Sequence, residues 1–368
     1  MKYKSVKDIS AAKDLISPPG DTLLETIGHK GISQTELAQR MGRPLKTINE
    51  IIMGKTAIMP ETALQLERVI GIPASFWLER ERLYRLELAE IKDAESFLAS
   101  KDWVNQFPVT EMLKLSWIEC NRDTISLTNA LLRFFSVADQ SSYDNYYQGN
   151  LYSSAFRISE RESKNSHAIV AWLRRGDIQA ESIDVPVFDA RKFKAALPQF
   201  KELMAENPSD FFLKLQTISA RCGVKVLFTP CLPKAPISGA TRWQNDTPLI
   251  QLTGRYNRND IFWFTFFHEA GHIILHGKKD VFLEGIGHSV EKEIKEKEAD
   301  DFAIEWTLTG KEEREISQSM PLTAQAVSGY AKKYGTHEAL IIGRMAKLNY
   351  IHDSIGWTHG FFQKVELK

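Results

Sequence analysis

Apolar residues recur at helical spacing along most of the chain, and short continuous apolar runs are confined to its C-terminal part. From Asp21 to about Ala89, short helical patterns follow one another between glycine and proline signals, which predicts a compact helical module. The pattern stays helical from about residue 90 to 205, except for the polar, tyrosine-rich stretch 139–150, which predicts a loop. This middle region carries no chemical motif, so we expect it to be a spacer or a sensor scaffold.

A mixed pattern begins near residue 206. Short strands are expected at 223–229, 237–243 and 248–253, ahead of a long apolar helix over about 259–276. The sequence therefore predicts a mainly α-helical protein with a small α+β domain at its C-terminal end. The expected domains are a helical module at 18–89, a helical linker or scaffold at 90–205 and the α+β domain at 206–368.

Composition narrows the class of protein. The 368 residues contain 47 Lys and Arg against 47 Asp and Glu, and this balance excludes a polybasic coat protein or a protein held on membranes by charge. A hydrophobic fraction of 43 % excludes wholesale disorder, and three scattered cysteines exclude a disulfide framework. The N-terminus lacks the apolar segment of a secretory signal, and the longest apolar run, 261–267, is too short to span a membrane. We therefore expect a cytoplasmic protein with no membrane partner.

The stretch SQTELAQRMGRPLKTINEIIMG, residues 33–54, divides into two short helices around Gly42. Ser33 is a good N-cap with Glu36 three residues later, and Pro44 suits the first turn of the second helix. Two helices joined by a turn that contains glycine fit a helix-turn-helix. The alternative is an ordinary helical hairpin with a solvated polar face.

In a helix-turn-helix, the N-terminal part of the second helix faces the major groove. Its candidate DNA-contacting residues are Lys46, Thr47 and Asn49, of which Lys46 suits guanine and Asn49 suits adenine. Phosphate contacts are expected from Gln34, Lys55 and Thr56. Residues 33–58 carry a surplus of two positive charges, so a monomer is expected to bind DNA weakly. Dimerisation is expected to strengthen the binding.

The stretch from the opening PPG at 18–20 to the closing FWL at 76–78 resembles the helix-turn-helix of HigA-type antitoxins within the Xre repressor class. The matching features are PPG, SQTELAQRMG, TINEII followed by GK, PETAL and FWL. Pro44 and Leu45 stand where this family usually has Ser-Arg. The resemblance implies sequence-specific binding to a double-stranded DNA operator, normally as a symmetric homodimer.

The segment FFHEAGHIILHG places His268, Glu269 and His272 in the pattern HExxH on the long apolar helix. Histidines four residues apart lie on one helix face and can share a Zn²⁺ ion, and Glu269 is placed to take a proton from water. The alternative is a pair of core histidines whose hydrogen bonds are made within the protein, without a metal. His276 is about 12 Å along the helix from His268, too far for the same metal.

A third ligand is expected from the helical segment EKEIKEKEADDFAIEWTL, residues 291–308. Its apolar stripe contains Ala299, Phe302 and Ala303. Both Glu296 and Glu298 border this stripe, so periodicity alone does not choose between them.

The HEAGH and EADDFA segments, residues 268–272 and 298–303, resemble the two signatures of the ImmA/IrrE metallopeptidases. The resemblance implies a zincin-like domain in which His268, His272 and Glu298 bind Zn²⁺ while Glu269 acts as general base. His337 is a candidate oxyanion donor in this scheme, although a core or surface histidine is the alternative. The strand 249–252 is expected to pair with an extended substrate.

Two functions follow from these motifs. The first is an antitoxin-like DNA-binding regulator whose zinc endopeptidase cleaves a partner regulator, either a toxin or a repressor, or the chain itself. The second is a non-enzymatic antitoxin or repressor whose zinc domain is structural or senses a ligand or toxin.

Overall fold

The protein is mostly helical with one small sheet, which confirms the predicted fold class. The computed structural model describes residues 2–151, 166–233, 235, 237–277, 282–283 and 290–365. The helices are α1 Val6–Leu15, α2 Pro19–His29, α3 Gln34–Met41, α4 Leu45–Ile52, α5 Pro60–Ile70, α6 Ala74–Leu98, α7 Lys101–Val104, α8 Val109–Lys114, α9 Thr124–Phe135, α10 Gln140–Tyr143, α11 Ser166–Glu181, α12 Ala190–Glu206, α13 Phe211–Arg221, α14 Asn259–Leu275, α15 Val290–Thr307, α16 Gly310–Ser317, α17 Ala324–Tyr334, α18 Glu338–Lys347 and α19 Ser354–Thr358.

The chain forms two compact units. Unit 1 comprises Met1–Asn105 and Glu119–Arg133, and unit 2 comprises Gln106–Ile118 and Phe134–Lys368. The domain boundaries expected near residues 89 and 205 stay predictions. No helix within the described ranges is both long enough and apolar enough to cross a membrane.

Unit 1 contains the two predicted helices of the helix-turn-helix. Ser33 caps α3 as predicted, because its Oγ accepts a hydrogen bond from the Glu36 N–H at 3.1 Å. Gly42 ends this helix with φ +64°, a left-handed conformation that costs glycine little. Helix α4 follows, with Pro44 at its N-cap and Ile48 and Ile51 buried in the core of the unit.

The close packing of α2 on α4 explains the PPG motif. A Cβ added at Gly20 would lie 2.2 Å from the carbonyl oxygen of Ile52. Only glycine therefore lets the start of α2 approach the end of α4 so closely. The remaining core of this module includes Leu23, Leu37 and Trp77, all fully buried.

Unit 2 contains a four-stranded sheet in the order β1-β3-β2-β4. The strands are β1 Lys225–Phe228, β2 Gly239–Gln244, β3 Thr247–Leu252 and β4 Phe282–Leu283. Strand β3 runs parallel to β1, with Lys225 opposite Leu249, and antiparallel to β2, with Thr241 opposite Ile250. Strand β4 pairs antiparallel with β2, where Ala240 is opposite Leu283.

The expectation that strand 249–252 would pair with a substrate is wrong. It forms most of β3, which is hydrogen-bonded to β1 on one side and to β2 on the other. Both of its backbone edges are therefore occupied, and no extended peptide can add to it.

Helix α14 is buried on nearly all sides because it packs against the sheet, α15 and α18. Its aromatic residues Phe262, Trp263, Phe266 and Phe267 belong to the main core of unit 2. This position explains why its sequence is apolar around the whole helix, and it makes the polar residues in its middle costly unless they have a function.

The predicted loop at 139–150 is helical, so that expectation is wrong. Residues 140–143 form α10, and Asp144–Leu151 form a π-helix. Tyr143 and Tyr147 are buried here, and they pack edge to face or tilted against Phe135 and each other. Aromatic burial outweighs the polar composition that had indicated a loop.

Helix α11 is bonded to the sheet. The guanidinium of Arg242 on β2 donates to the Asp177 carboxylate at 2.9 Å and to the Leu173 carbonyl at 2.8 Å, and its side chain is 3 % exposed. The Trp172 indole donates to the Thr229 carbonyl at 3.1 Å, and Gln251 donates to the Trp172 carbonyl at 2.8 Å. Helix α11, in the middle region of the sequence, is therefore part of the fold of unit 2 and not only a spacer.

Candidate metal centre and nucleic-acid interface

The exposed start of α4 is the candidate DNA-reading surface. The Lys46 side chain is 86 % exposed, and its ammonium lies 3.8 Å from the Glu50 carboxylate one turn later. That separation, between two groups open to water, leaves the lysine available to an anionic partner. Thr47 and Asn49 are half-buried, so they lie at the edge of this surface.

Asn49 has a polar atom with hydrogen-bonding capacity to spare. Its Oδ1 is buried and has no hydrogen-bond partner among the residues that the structure describes. An amide that reads adenine must present both its oxygen and its nitrogen to the groove, so the Asn49 side chain would have to turn outward to make the predicted contact.

The predicted phosphate contacts flank the recognition helix. Gln34 is the first residue of α3 and is half-buried, and Lys55 is exposed directly after α4. The Thr56 hydroxyl donates to the Glu50 carboxylate at 3.2 Å, which fixes the turn that carries Lys55. The arrangement brings all six predicted residues to α3, α4 and the turn after it, while their contacts with DNA stay predictions.

Three side chains in unit 2 converge as a metal site would require. The Nε2 atoms of His268 and His272 lie 3.0 Å apart. Glu296 on α15 places Oε2 at 3.2 Å from His268 Nε2 and Oε1 at 3.6 Å from His272 Nε2. This group of three is the cluster within the described ranges whose ligand atoms suit a metal ion.

The spacing fits zinc. Tetrahedral Zn²⁺ with bonds of about 2.0–2.1 Å holds its ligand atoms about 3.3 Å apart, close to the three observed separations. Burial lowers the pKa of His272 to about 2, with smaller contributions from the charges of His268 and His276. The imidazole is therefore neutral at physiological pH, which is the form that binds a metal. Two histidines and a carboxylate match the donor set of a catalytic zinc site with an open fourth position.

Each histidine of the cluster has a partner on its other ring nitrogen. His268 Nδ1 lies 2.9 Å from Asp300 Oδ1, and His272 Nδ1 lies 3.0 Å from His276 Nδ1. His276 Nε2 in turn lies 2.9 Å from Glu298 Oε2. With both Nε2 atoms turned to the shared site, the Nδ1–H groups donate outward, which fixes the tautomer and the orientation of both rings.

Asp300 is suited to this role. Burial acts to raise the pKa of Asp300, but the hydrogen bond to His268 and the charges of His268, Lys347 and Arg344 outweigh it, so the pKa lies below its usual value. The carboxylate is therefore ionised and accepts a hydrogen bond from the His268 Nδ1–H.

The geometry favours Glu296 as third ligand over the predicted Glu298. Two residues along an α-helix turn the side chain by about 200°, so only one of these carboxylates faces the histidine pair. Glu296 precedes the buried Ala299 by three residues and Asp300 by four, which places all three on the face toward α14. The periodicity of α15 does not by itself separate Glu296 from Glu298, and the distances to the facing histidine pair do so.

The predicted general base, Glu269, is fully buried between α14 and β2. A Cβ added at Gly239 would lie 2.6 Å from Glu269 Oε1, so glycine at this strand position makes room for the carboxylate. The Thr241 hydroxyl donates to the Glu269 carbonyl at 3.1 Å and fixes the strand against the helix. Gly239 is a site residue that sequence reasoning missed, because its importance depends on a tertiary contact.

His337 lies at the N-cap of α18, outside the histidine–glutamate cluster. Its Nδ1 accepts a hydrogen bond from the Ala339 N–H at 3.1 Å, and burial lowers the pKa of its ring. This placement fits the alternative, a core histidine, and the role of His337 as oxyanion donor stays a prediction.

Comparisons with known proteins match the two ends of the chain to different families. Residues 25–77 match the model described as Helix-turn-helix, and residues 220–340 match the IrrE N-terminal-like domain. An uncharacterized HTH-type transcriptional regulator of Escherichia coli strain K12, YddM, is 33 % identical over 72 residues, or 20 % of this chain and 77 % of that protein. Virulence-associated protein A of Dichelobacter nodosus is 39 % identical over 57 residues, or 15 % of this chain and 56 % of that protein. Each relative covers a fifth of this chain or less, so neither describes the activity of the whole protein.

Proposed function

Because the chain belongs to the HTH-type transcriptional regulators and carries an IrrE N-terminal-like domain, we propose that it is a DNA-binding regulator with a zinc-dependent endopeptidase. The peptidase cleaves a partner regulator and so relieves repression. The observation that carries this proposal is the convergence of His268, His272 and Glu296 at the separations that a zinc ion imposes.

In this proposal, His268, His272 and Glu296 would hold Zn²⁺, which would supply Lewis acidity at the scissile carbonyl. Glu269, adjacent to His268 on α14, takes the proton from the attacking water and delivers it to the leaving amine. Asp300 and His276 hold the two imidazoles in position, and Glu298 orients His276. Glu298 thus supports the site as a positioning residue behind His272.

The test is cleavage of a co-encoded regulator by the zinc-loaded chain and by its Glu269→Gln variant. The variant retains zinc because no ligand is removed, and it loses cleavage by a factor of about 10² or more because general base catalysis is lost. Bound zinc is measured by atomic emission and cleavage by mass spectrometry of the products. If the zinc-loaded parent cleaves neither the regulator nor itself, the enzymatic proposal fails and the non-enzymatic zinc domain replaces it.

For the DNA-binding module, we propose a HigA-type regulator that binds its operator as a homodimer through α4. Lys46→Ala with Asn49→Ala removes the exposed cation and the uncommitted amide oxygen and leaves the core residues of α4 in place. Gel shifts with the chain's own promoter region are expected to show loss of specific binding.

The matched control is Lys92→Ala, which removes an exposed lysine of the same unit far along the sequence from α4. If Lys46 binds a phosphate, Lys46→Ala alone lowers the slope of log affinity against log salt by about one. A loss of affinity limited to one base position of the operator indicates a base contact instead. Unchanged affinity of the double variant would remove α4 from the interface.

A further inference from the structure

A cavity of about 530 Å³ in unit 2 lies between α14, α15 and α18. Its volume is within the range of about 300–1,000 Å³ of typical ligand sites. The apolar walls come from Ile261 and Phe264 on α14, Ile304 on α15, Leu308 directly after α15, and Leu340 on α18. The cavity contains none of the three metal-site residues.

The cavity adjoins the proposed general base. Thr265, which lines it, is one helical turn before Glu269 on α14. A Cβ at Gly239 would lie 2.6 Å both from Thr265 Cγ2 and from Glu269 Oε1, and the neighbouring Ser238 also lines the cavity. The cavity wall at Thr265 and Ser238 is therefore separated from Glu269 by no more than the width of a side chain.

The same two helices carry the metal cluster and the cavity. On α15, Glu296, Asp300 and Ile304 follow at intervals of four residues, so one helix face runs from the metal ligand to the cavity wall. On α14, Ile261, Thr265 and Glu269 follow in the same way. A peptide whose scissile bond lies at the cluster has this cavity as the adjacent space for a side chain.

Four basic residues line the cavity, and two of them, Arg258 and Arg344, form ion pairs with acidic residues. Arg258 is bonded to Asp260 and Asp353, and Arg344 is paired with Glu313 at 2.7 Å.

Arg255 and Lys347 differ from these paired arginines. Both line the cavity, both are exposed, and neither forms an ion pair with any residue that the structure describes. Lys347 instead lies over the Phe264 ring at 5.2 Å, and Arg255 lies over the Tyr256 ring at 4.9 Å. The space thus has apolar walls and two exposed cations at its rim, and Lys347 also acts at longer range on the Asp300 carboxylate.

We propose that this cavity is the substrate subsite for a large apolar side chain, and that Arg255 and Lys347 bind the carboxylate of an acidic residue beside it. The inference rests on the proposed peptidase function, since the cavity is assigned to the substrate of that centre. It specifies the substrate class as a peptide with an aromatic or large aliphatic residue next to Asp or Glu near the scissile bond.

The test measures binding and not cleavage, in the zinc-loaded full chain with Glu269→Gln. The probes are the blocked peptides acetyl-Ala-Ala-Phe-Glu-Ala-Ala-amide, its Ala-Glu analogue and its Phe-Lys analogue, titrated by calorimetry. The Phe-Glu peptide is expected to bind at least about tenfold more tightly than either analogue, because it alone fills the apolar space and meets the cations.

Two variants locate the binding. Ala346→Phe fills the cavity from α18 and lowers affinity for the Phe-Glu peptide about tenfold or more. Its control, Ala326→Phe, places the same ring at a half-buried position of α17 away from the cavity and leaves affinity unchanged. Lys347→Gln changes an exposed side chain at the rim, so it leaves the core packing intact, and it removes the preference for the Phe-Glu peptide over the Phe-Lys peptide. The control Lys332→Gln on α17 retains this preference.

The outcomes separate the subsite from the peptidase function. Peptide binding that depends on Ala346 supports the subsite, even where the parent chain cleaves nothing and the peptidase function fails. Equal affinity for the three peptides, no binding of any of them, or unchanged affinity in both Ala346→Phe and Lys347→Gln overturns the subsite. In those cases, cleavage that depends on Glu269 still supports the peptidase function.

Discussion

The choice between Glu296 and Glu298 gives the most direct test of the metal centre. Glu296→Ala and Glu298→Ala are matched variants, because both remove a carboxylate from α15 within two residues and alanine is the best helix former. The first removes an oxygen 3.2 Å from His268 Nε2, and the second removes the partner of His276. Only the first is expected to remove a zinc ligand.

The magnitude follows from the number of bonds to the metal. Structural zinc sites with four ligands bind with about 10–16 kcal/mol, so one ligand corresponds to about 2.5–4 kcal/mol and its loss to about 10²–10³-fold in affinity. Removing a group that supports a ligand costs about 10–100-fold. Glu298 is one hydrogen bond further away, since it reaches His272 only through His276, so we expect the low end, about tenfold or less.

The assay is competition for zinc between each variant and a chromophoric chelator at fixed pH and ionic strength. Far-ultraviolet circular dichroism checks that α15 is retained in both variants. Asp300→Asn provides an intermediate point, because Asp300 contacts His268 directly and its loss is expected to cost about 10–100-fold. A greater loss of zinc affinity in Glu298→Ala than in Glu296→Ala would refute the geometric assignment and restore the ligand that the family resemblance implies.

Three further predictions concern stability and the positioning of Glu269. Burial lowers the pKa of His167 to about 4, so unfolded chains bind a proton below about pH 6.5 that folded chains do not, and the free energy of unfolding falls by up to about 3 kcal/mol as the pH drops from 6.5 to 4. In urea titrations His167→Phe lacks this contribution, and parallel pH profiles for parent and variant would contradict it. Gly239→Ala forces Glu269 to move and is expected to reduce cleavage with zinc content unchanged, whereas Gly329→Ala, with no atom within 4 Å of the new Cβ, retains activity; equal rates in both would contradict the close packing. Ser33→Ala removes the cap of α3 and lowers the stability of unit 1 by about 1 kcal/mol in denaturant unfolding, and an unchanged midpoint would contradict the cap.

Local signals predicted the helices and strands that carry the two candidate sites. The cap at Ser33 and the glycine at 42 place α3 and α4 as expected, because capping and turn chemistry depend on neighbours in sequence. The continuous apolar pattern of α14 and the three strands before it were also confirmed in position within a few residues. These features need only short-range information.

Features that depend on tertiary contacts were not predictable in the same way. Tyr143 and Tyr147 make residues 140–151 helical through burial in an aromatic cluster that no local pattern specifies. The place of β3 in the middle of the sheet depends on strand order, which the alternation of residues does not give. Helical periodicity allows either Glu296 or Glu298 as the third ligand, and only the facing histidine pair decides between them.

The buried pair of Arg242 and Asp177 limits how this protein can be divided for experiments. A truncated fragment that starts at residue 206 would contain the match to the IrrE N-terminal-like domain but would lack Asp177 and the Leu173 carbonyl. Without α11, Arg242 and Gln251 would lose the acceptors that bond them to this helix, and the face of the sheet that α11 covers would be exposed to water. An expression fragment of the peptidase half therefore has to begin before α11, and an inactive or insoluble shorter fragment would say nothing about the chemistry of the zinc centre.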